Sequence, residues 1–133
     1  MRVSARAWDH RRVSLRCLIV DDNAAFLAAA RAILEGRDLT VVGEAATAAE
    51  ALQRAEELAP DIVLLDIDLG DDNGLAVARA LAERAQSATP KTILMSAYPE
   101  DDFADLIAES PALGFISKPA LSPATVGELM ATT

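Results

Sequence analysis

Five side chains that can bind a cation or a phosphoryl group stand directly after short apolar runs of the sequence. They are Asp21, Asp22, Asp66, Ser96 and Lys118. Strand formation does not require a charged or hydroxyl-bearing residue at these positions. We therefore treat the five residues as candidates for chemistry.

Carboxylates that converge at one point need a compensating charge. Two of them repel by about 4 kcal/mol at 4 Å and an effective dielectric near 20. If Asp21, Asp22 and Asp66 meet, a hard divalent cation relieves this repulsion, and Mg²⁺ prefers carboxylates, water and a phosphate oxygen. The ammonium of Lys118 and the hydroxyl of Ser96 would complete a cup for a phosphoryl group. A carboxylate that faces such a group is a competent nucleophile, and the product is an aspartyl phosphate.

The elements that position these residues follow from alternating strand-like runs and alanine-rich helical stretches. Strand-like runs buried on both faces are typical of a parallel sheet covered by helices. The pattern predicts a doubly wound α/β sheet, in which ligands bind beyond the carboxyl ends of the strands. The predicted strands are 16–20, 40–43, 61–65, 92–95 and 114–117, and the predicted helices are 24–35, 47–58, 74–85, 100–109 and 122–132.

Length and charge limit the function further. The chain has 133 residues, 52% of them apolar, and a net charge of −9, which fits one domain with a real core. Residues 1–16 carry five arginines and one acid, whereas 17–133 carry seven bases and 20 acids. Because binding to the phosphates of a nucleic acid depends on Lys and Arg, the acidic composition of residues 17–133 predicts no direct nucleic-acid binding. We expect residues 1–14 to be a flexible N-terminal extension and 15–133 to form the domain.

Cysteine count and hydropathy point to the compartment. The single cysteine, Cys17, excludes an internal disulfide and a thiolate zinc site. The sequence contains no apolar stretch near the roughly 20 residues that span a bilayer. We expect a cytoplasmic protein that does not bind a membrane.

Together these motifs resemble the response-regulator receiver domain of two-component signalling, in particular its single-domain, chemotaxis-regulator-like members. The resemblance runs from about residue 16 to residue 130, and the order and separation of the motifs carry it. The motifs are the pair Asp21-Asp22 after Leu18-Ile19-Val20, Asp66 closing residues 61–66, Gly74 eight positions later, Ser96-Ala97 after 92–95, and residues 115–119, which run from Phe115 to Lys118-Pro119.

The resemblance implies a five-stranded parallel sheet of order 2-1-3-4-5 with five helices, the flavodoxin-like receiver fold. It implies that Asp66 accepts a phosphoryl group from a sensor histidine kinase or phosphotransfer protein, and that the domain itself catalyses this transfer and the later hydrolysis. Mg²⁺ would be held by Asp22, Asp66 and the backbone carbonyl of Asp68, with Asp21 acting through a water.

The same resemblance assigns the remaining roles. Lys118 would pair with Asp66 and then with the phosphoryl group, and Ser96 would bind a phosphoryl oxygen while Phe115 swings inward. This would change the surface formed by the fourth helix, the fifth strand and the fifth helix (the α4-β5-α5 surface), where family members dimerise or meet a target. The Lys118–Pro119 peptide bond is expected to be cis, a form that is accessible before proline.

Two departures from the family pattern concern the loop after Asp66. Position 70 is glycine where the family often has proline, so we expect a looser loop. Asp68 places an acid beside the site, and we hypothesise that it changes the lifetime of the phosphoryl group.

Three alternatives remain open from the sequence. The chain could be the receiver portion of a larger DNA-binding regulator. It could be a pseudo-receiver that is not phosphorylated, although it retains every acid and the lysine. A haloacid-dehalogenase-like phosphatase, with Asp66 as nucleophile and Asp68 as general acid, would use the Asp-x-Asp pattern, but that motif normally precedes the other acids.

Overall fold

The computed structural model describes residues 14–84 and 89–131. Five parallel strands form one sheet in the order β2-β1-β3-β4-β5, which confirms the predicted fold class and strand order. The strands are β1 (Leu15–Val20), β2 (Leu39–Ala45), β3 (Ile62–Asp66), β4 (Lys91–Ser96) and β5 (Gly114–Ser117). The helices are α1 (Ala24–Leu34), α2 (Ala48–Leu58), α3 (Gly74–Arg84), α4 (Ala104–Glu109) and α5 (Pro123–Met130), with 3-10 turns at Glu100–Phe103 and Lys118–Ala120.

The sheet forms because its central strands are apolar on both faces. Every residue of β3 is buried, as are all residues of β4 after Lys91. Both faces of such a sheet must be covered by helices. Helices α1 and α5 pack on one face, around Leu34 and Val126, and helices α2, α3 and α4 pack on the other, around Ala51 and Leu81.

Register brings the carboxyl ends of the strands to one edge of the sheet. Val20, Leu65, Leu94 and Phe115 lie at the same level across β1, β3, β4 and β5. The residues that follow these four therefore emerge close together, as the sequence predicts.

Two details of the core bear on the predictions. Cys17 is fully buried in β1, and burial raises the pKa of its thiol to about 12. The spacing of Phe26, Ala30, Ile33 and Leu34 predicts one buried stripe on α1, but Ile33 is 48% exposed, so the prediction is wrong for this residue. It lies at the last turn of α1, where the neighbouring Leu34 turns inward instead.

The sequence pattern misses one element and predicts another that is longer than the one observed. Residues 68–73 form a two-stranded antiparallel hairpin, with Asp68 opposite Asn73 and Leu69 opposite Asp72. The predicted helix 100–109 divides into the 3-10 turn and the short α4. Among the described residues, no helix is long and apolar enough to cross a bilayer. The expected extension at 1–14 lies outside the described residues except for Ser14, whose hydroxyl meets that of Thr40 at 2.6 Å.

Candidate functional site

Three carboxylates meet beyond β1 and β3. Asp21, Asp22 and Asp66 each offer one oxygen, and these three oxygens all lie within 4.8 Å of one another. Asp21 is fully buried and Asp66 is 4% exposed, whereas Asp22 faces solvent. The convergence predicted from the sequence is therefore present, with two of the acids taken out of water.

Lys118 supplies the opposing charge from the chain beyond β5. Its Nζ lies 2.6 Å from Oδ2 of Asp21 and 3.1 Å from Oδ2 of Asp66. The same Nζ stands 4.5 Å from the ring centroid of Phe26, close enough for a cation–π interaction. The ammonium group is thus fixed from three sides beside the acid pair.

The site changes the proton affinity of both of its central groups. Burial raises the pKa of Asp66 above its usual value, as does the charge of Asp21, against the opposing effects of the Asp68 backbone N–H and of Lys118. Burial alone would lower the pKa of Lys118, but its contacts with Asp21 and Asp66 outweigh burial and the net pKa is raised. Lys118 therefore carries a firmly held positive charge at neutral pH.

The turn after β3 fixes the orientation of Asp66. The backbone N–H of Asp68 donates to Oδ1 of Asp66 at 3.0 Å, which leaves Oδ2 to Lys118. Gly74 begins α3 against this turn, and a Cβ there would overlap the carbonyl oxygen of Asp66. Only glycine lets α3 start so close to Asp66.

The hairpin 68–73 closes over the acidic pair. Gly70 lies at its tip with φ of +64°, and a Cβ at this position would stand 3.0 Å from Oδ2 of Asp22. Leu69 is buried in the core, and Asp72 accepts a hydrogen bond from the N–H of Ala48 at the start of α2. Both strands of the loop are thus held by contacts with the rest of the domain, and the looser loop expected from glycine at position 70 stays a prediction.

Ser96 and Phe115 lie farther along the same edge. Ser96 is almost fully buried and directly follows Met95, the register partner of Asp66. Its Oγ accepts the N–H of Tyr98 at 3.0 Å, so the hydroxyl is engaged with its own loop. Phe115 is partly buried and packs with Phe103 against the α2-α3-α4 side of the core.

The expected cis peptide bond before Pro119 is wrong. The described residues contain no cis peptide bond. Lys118, Pro119 and Ala120 instead form a 3-10 turn, where Pro119 takes an early helical position that suits its fixed φ. The trans bond is the intrinsically favoured form before proline, and in this structure it accompanies the contact of Lys118 with Asp66.

The donor set fits Mg²⁺. Its groups are carboxylate oxygens, and Oδ2 of Asp21 is fully buried with an ion pair to Lys118 but without a well-aligned hydrogen bond among the described residues. Hard oxygen donors of this kind, one of them open to solvent at Asp22, suit a cation that keeps several waters.

Phe26 is a site residue that the sequence does not mark as a candidate for chemistry. Its place at helical spacing in α1 is typical of a packed side chain, and no pattern marked its contact with Lys118. The one available signal was its closeness to the acidic pair, five positions after Asp21.

Comparison with known proteins identifies the family. The family model described as the response regulator receiver domain matches residues 17–129, nearly the whole chain. The chain belongs to the response regulator receiver domain family. The phosphatase interpretation of Asp66 and Asp68 is accordingly not favoured.

Relatives of this receiver domain include regulators of transcription. The DNA-binding transcriptional activator EvgA of Escherichia coli K12 is 34% identical over 78% of this chain and 50% of its own length. A putative transcriptional regulator of Pseudomonas aeruginosa PAO1 is 36% identical over 77% of this chain and 49% of its own. This receiver domain thus spans about half the length of these curated relatives.

Solved structures agree on the fold. A CheY-like receiver domain protein from Methanospirillum hungatei JF-1 is 28% identical, with a TM-score of 0.72 over 90% of this chain and 93% of that one. Receiver domains in general partner with histidine kinases, which sets the context for the site described above.

Proposed function

We propose that this receiver domain accepts a phosphoryl group on Asp66 from a phosphohistidine of a sensor histidine kinase or phosphotransfer protein. The observation that carries this proposal is the contact of Lys118 with both Asp66 and Asp21 beside a third carboxylate, at the tips of three strands. In this arrangement Lys118 orients the carboxylate of Asp66 for attack and then compensates the negative charge of the phosphoryl group.

The transfer is a displacement at phosphorus. A carboxylate oxygen of Asp66 forms the new O–P bond while the N–P bond to the donor imidazole breaks, and the bonding electrons stay on that nitrogen, which is then protonated. Mg²⁺ would be held by Asp22, Asp66 and the carbonyl of Asp68, with Asp21 behind a water, and it would neutralise the phosphoryl oxygens. Lys118 stabilises the same oxygens from the opposite side. Hydrolysis of the acyl phosphate returns Asp66 to its free form.

Phosphorylation is proposed to switch the surface formed by α4, β5 and α5. The modification adds roughly two negative charges and three acceptor oxygens beside Lys118. Ser96 exchanges its present bond from Tyr98 for a phosphoryl oxygen, and Phe115 moves as β4 and its loop shift. The surface so changed would bind a target or a second copy. We place the protein in the cytoplasm, where a kinase that uses ATP makes its phosphohistidine.

A second proposal concerns context. The chain spans about half of relatives named as DNA-binding or transcriptional regulators. We propose that a DNA-binding effector, where one is attached, is the output of this switch, while the acidic receiver body itself does not contact nucleic acid.

The decisive experiment is intact-mass measurement after incubation with Mg²⁺ and acetyl phosphate. We expect the wild-type chain to gain one phosphate-sized mass and Asp66→Asn to gain none. The matched control is Asp101→Asn, an exposed acid in the turn before α4, which should be modified like the wild type. Chelation of Mg²⁺ should abolish the gain, and modification of Asp66→Asn at the wild-type level would overturn the proposal.

A further inference from the structure

The N-terminal segment, residues 1–13, has a chemistry that the phosphoryl-transfer site does not use. It contains four arginines, Arg2, Arg6, Arg11 and Arg12, against one acid, Asp9. It also contains Trp8, the single tryptophan of the chain. A basic segment with a large aromatic side chain is a typical ligand for an apolar groove with an acidic rim.

The structure has such a groove at the edge strand β5. The groove has a volume of about 500 Å³ and runs between α5 and the turn that precedes α4. Its apolar lining includes Pro99, Phe115 and Leu129, while Glu100 and Glu128 stand at its rim, both exposed. Neither glutamate forms an ion pair within the described part of the chain.

Charge argues against a direct pairing of two such faces. Residues 89–131 contain six acids and two bases. Lys118 is committed to the site, and Lys91 lies at the opposite end of β4. Two copies that met groove to groove would bring like charges together, which is destabilising. A cationic occupant removes this repulsion.

We propose that residues 1–13 of one copy dock in the groove of a second copy, with Trp8 on the apolar floor and arginines at Glu100 and Glu128. The assembly is an exchange of basic segments, and it does not depend on phosphorylation of Asp66. It gives the α4-β5-α5 surface an occupant before any target binds.

The length of chain between Ser14 and Trp8 favours a second copy as the source of the docked segment. Phe115 is level with Val20 across three strand spacings, whereas Ser14 stands six residues before Val20. At ~3.3 Å per residue and ~4.8 Å per strand, the straight line from Ser14 to Phe115 is about 25 Å and runs through the sheet. The six residues from Ser14 back to Trp8 extend at most ~22 Å. The path around the surface is longer than this line, so Trp8 of the same chain would lie at the limit of its reach even with the segment fully extended, whereas a segment from a second copy meets no such limit.

Trp8 provides the readout, because its fluorescence is the only tryptophan signal of the full chain. We expect native emission to lie blue of that of the urea-unfolded protein, and to shift red on dilution as dimers seen by sedimentation dissociate. Glu100→Gln/Glu128→Gln should weaken self-association about ten- to a hundredfold, because it removes two exposed ion pairs from each of the two grooves of the exchanged dimer. Added salt should act in the same direction.

The matched control removes two charges elsewhere. Glu56→Gln/Glu83→Gln changes exposed acids on α2 and α3 and should leave association and emission as in the wild type. The proposal fails if the chain is monomeric at all concentrations, if Trp8 emits alike in the native and unfolded protein, or if both double variants weaken association equally.

Discussion

Asp66 sits among groups that disfavour its charge. It is buried, it lies near the carboxylate of Asp21, and Lys118 divides its own charge between the two acids. The raised pKa of Asp66 means that its ionised form is held at a higher free energy in the folded protein than in the unfolded chain. A cation that binds beside Asp66 would therefore stabilise its ionised form.

We predict that Asp66→Asn stabilises the protein at pH 7 without Mg²⁺, by on the order of 1 kcal/mol, the scale of one close like-charged pair that is partly solvated. In the wild type, both states are protonated well below pH 3.8, the usual value for Asp. The unfolded state ionises first as the pH rises, so wild-type stability falls until the raised pKa of folded Asp66 is passed. The difference between variant and wild type should grow over this window, as measured by urea unfolding at several pH values. A variant less stable than the wild type at pH 7 would contradict this account.

Gly70 sets the space available to Asp22, the exposed acid that we propose binds Mg²⁺. We predict that Gly70→Ala lowers the affinity for Mg²⁺ about tenfold, since a Cβ at 3.0 Å displaces the carboxylate of Asp22. The measurement is the free energy of unfolding at a series of Mg²⁺ concentrations, from which Kd follows because the stabilisation rises as RT ln(1 + [Mg²⁺]/Kd).

Two further variants separate contact from backbone strain. Gly70→Asn tolerates the positive φ but retains the Cβ, so it should lose affinity as well. Gly127→Ala places a Cβ in open space on α5 and should bind Mg²⁺ like the wild type. Recovery of full affinity in Gly70→Asn would show that strain, and not contact with Asp22, is the cause.

Among the elements, the hairpin 68–73 follows β3 along the chain and contacts the start of α2. Asp72 reaches across to the N–H of Ala48 at 2.9 Å, in addition to the cap that Thr47 places on the N–H of Glu50. Carboxylates at a helix N-terminus satisfy unpaired N–H groups and oppose the positive end of the dipole. The hairpin and the helix therefore stabilise each other.

We predict that Asp72→Ala lowers the free energy of unfolding by about 1 kcal/mol, as loss of a helix cap typically does. Asp71→Ala, one residue earlier at the exposed tip of the hairpin, is the matched control and should change stability little. Both are measured by urea denaturation. Equal losses in the two variants would mean that general acidity of the loop, rather than the contact with Ala48, matters.

Prediction from sequence succeeded for the elements with a strong hydrophobic period. The runs around Ile19 and Leu64 are apolar on both faces, which is typical of strands in a parallel sheet. Because parallel strands end at the same edge of the sheet, the location of the site could be predicted as well. The hairpin was missed because strands of two residues, such as Asp68–Leu69, have no period to detect. The cis bond at Pro119 was expected from family likeness, whereas the local 3-10 turn suits a trans bond.

At the scale of the whole molecule, the candidate site could be predicted because it depends on topology more than on side-chain detail. Once the sheet is parallel, Asp21, Asp66 and Lys118 must emerge at one edge. The contact of Phe26 with Lys118 depends instead on how the ring packs once α1 lies against the sheet. The spacing of apolar residues along the sequence does not specify that position. Charge distribution acts at the same scale. Residues 17–133 carry 20 acids and seven bases, and the ammonium of Lys118 compensates two of these acids, Asp21 and Asp66, where they are buried together.

The burial of Cys17 in the centre of the sheet makes the native chain a convenient background for spectroscopy. A thiol with a pKa of about 12 and no exposed surface is almost entirely protonated and shielded at neutral pH. Maleimide dyes or spin labels would then attach only at a cysteine introduced on the surface, for example beside α4. Distances across the molecule could be followed during signalling with the core left intact.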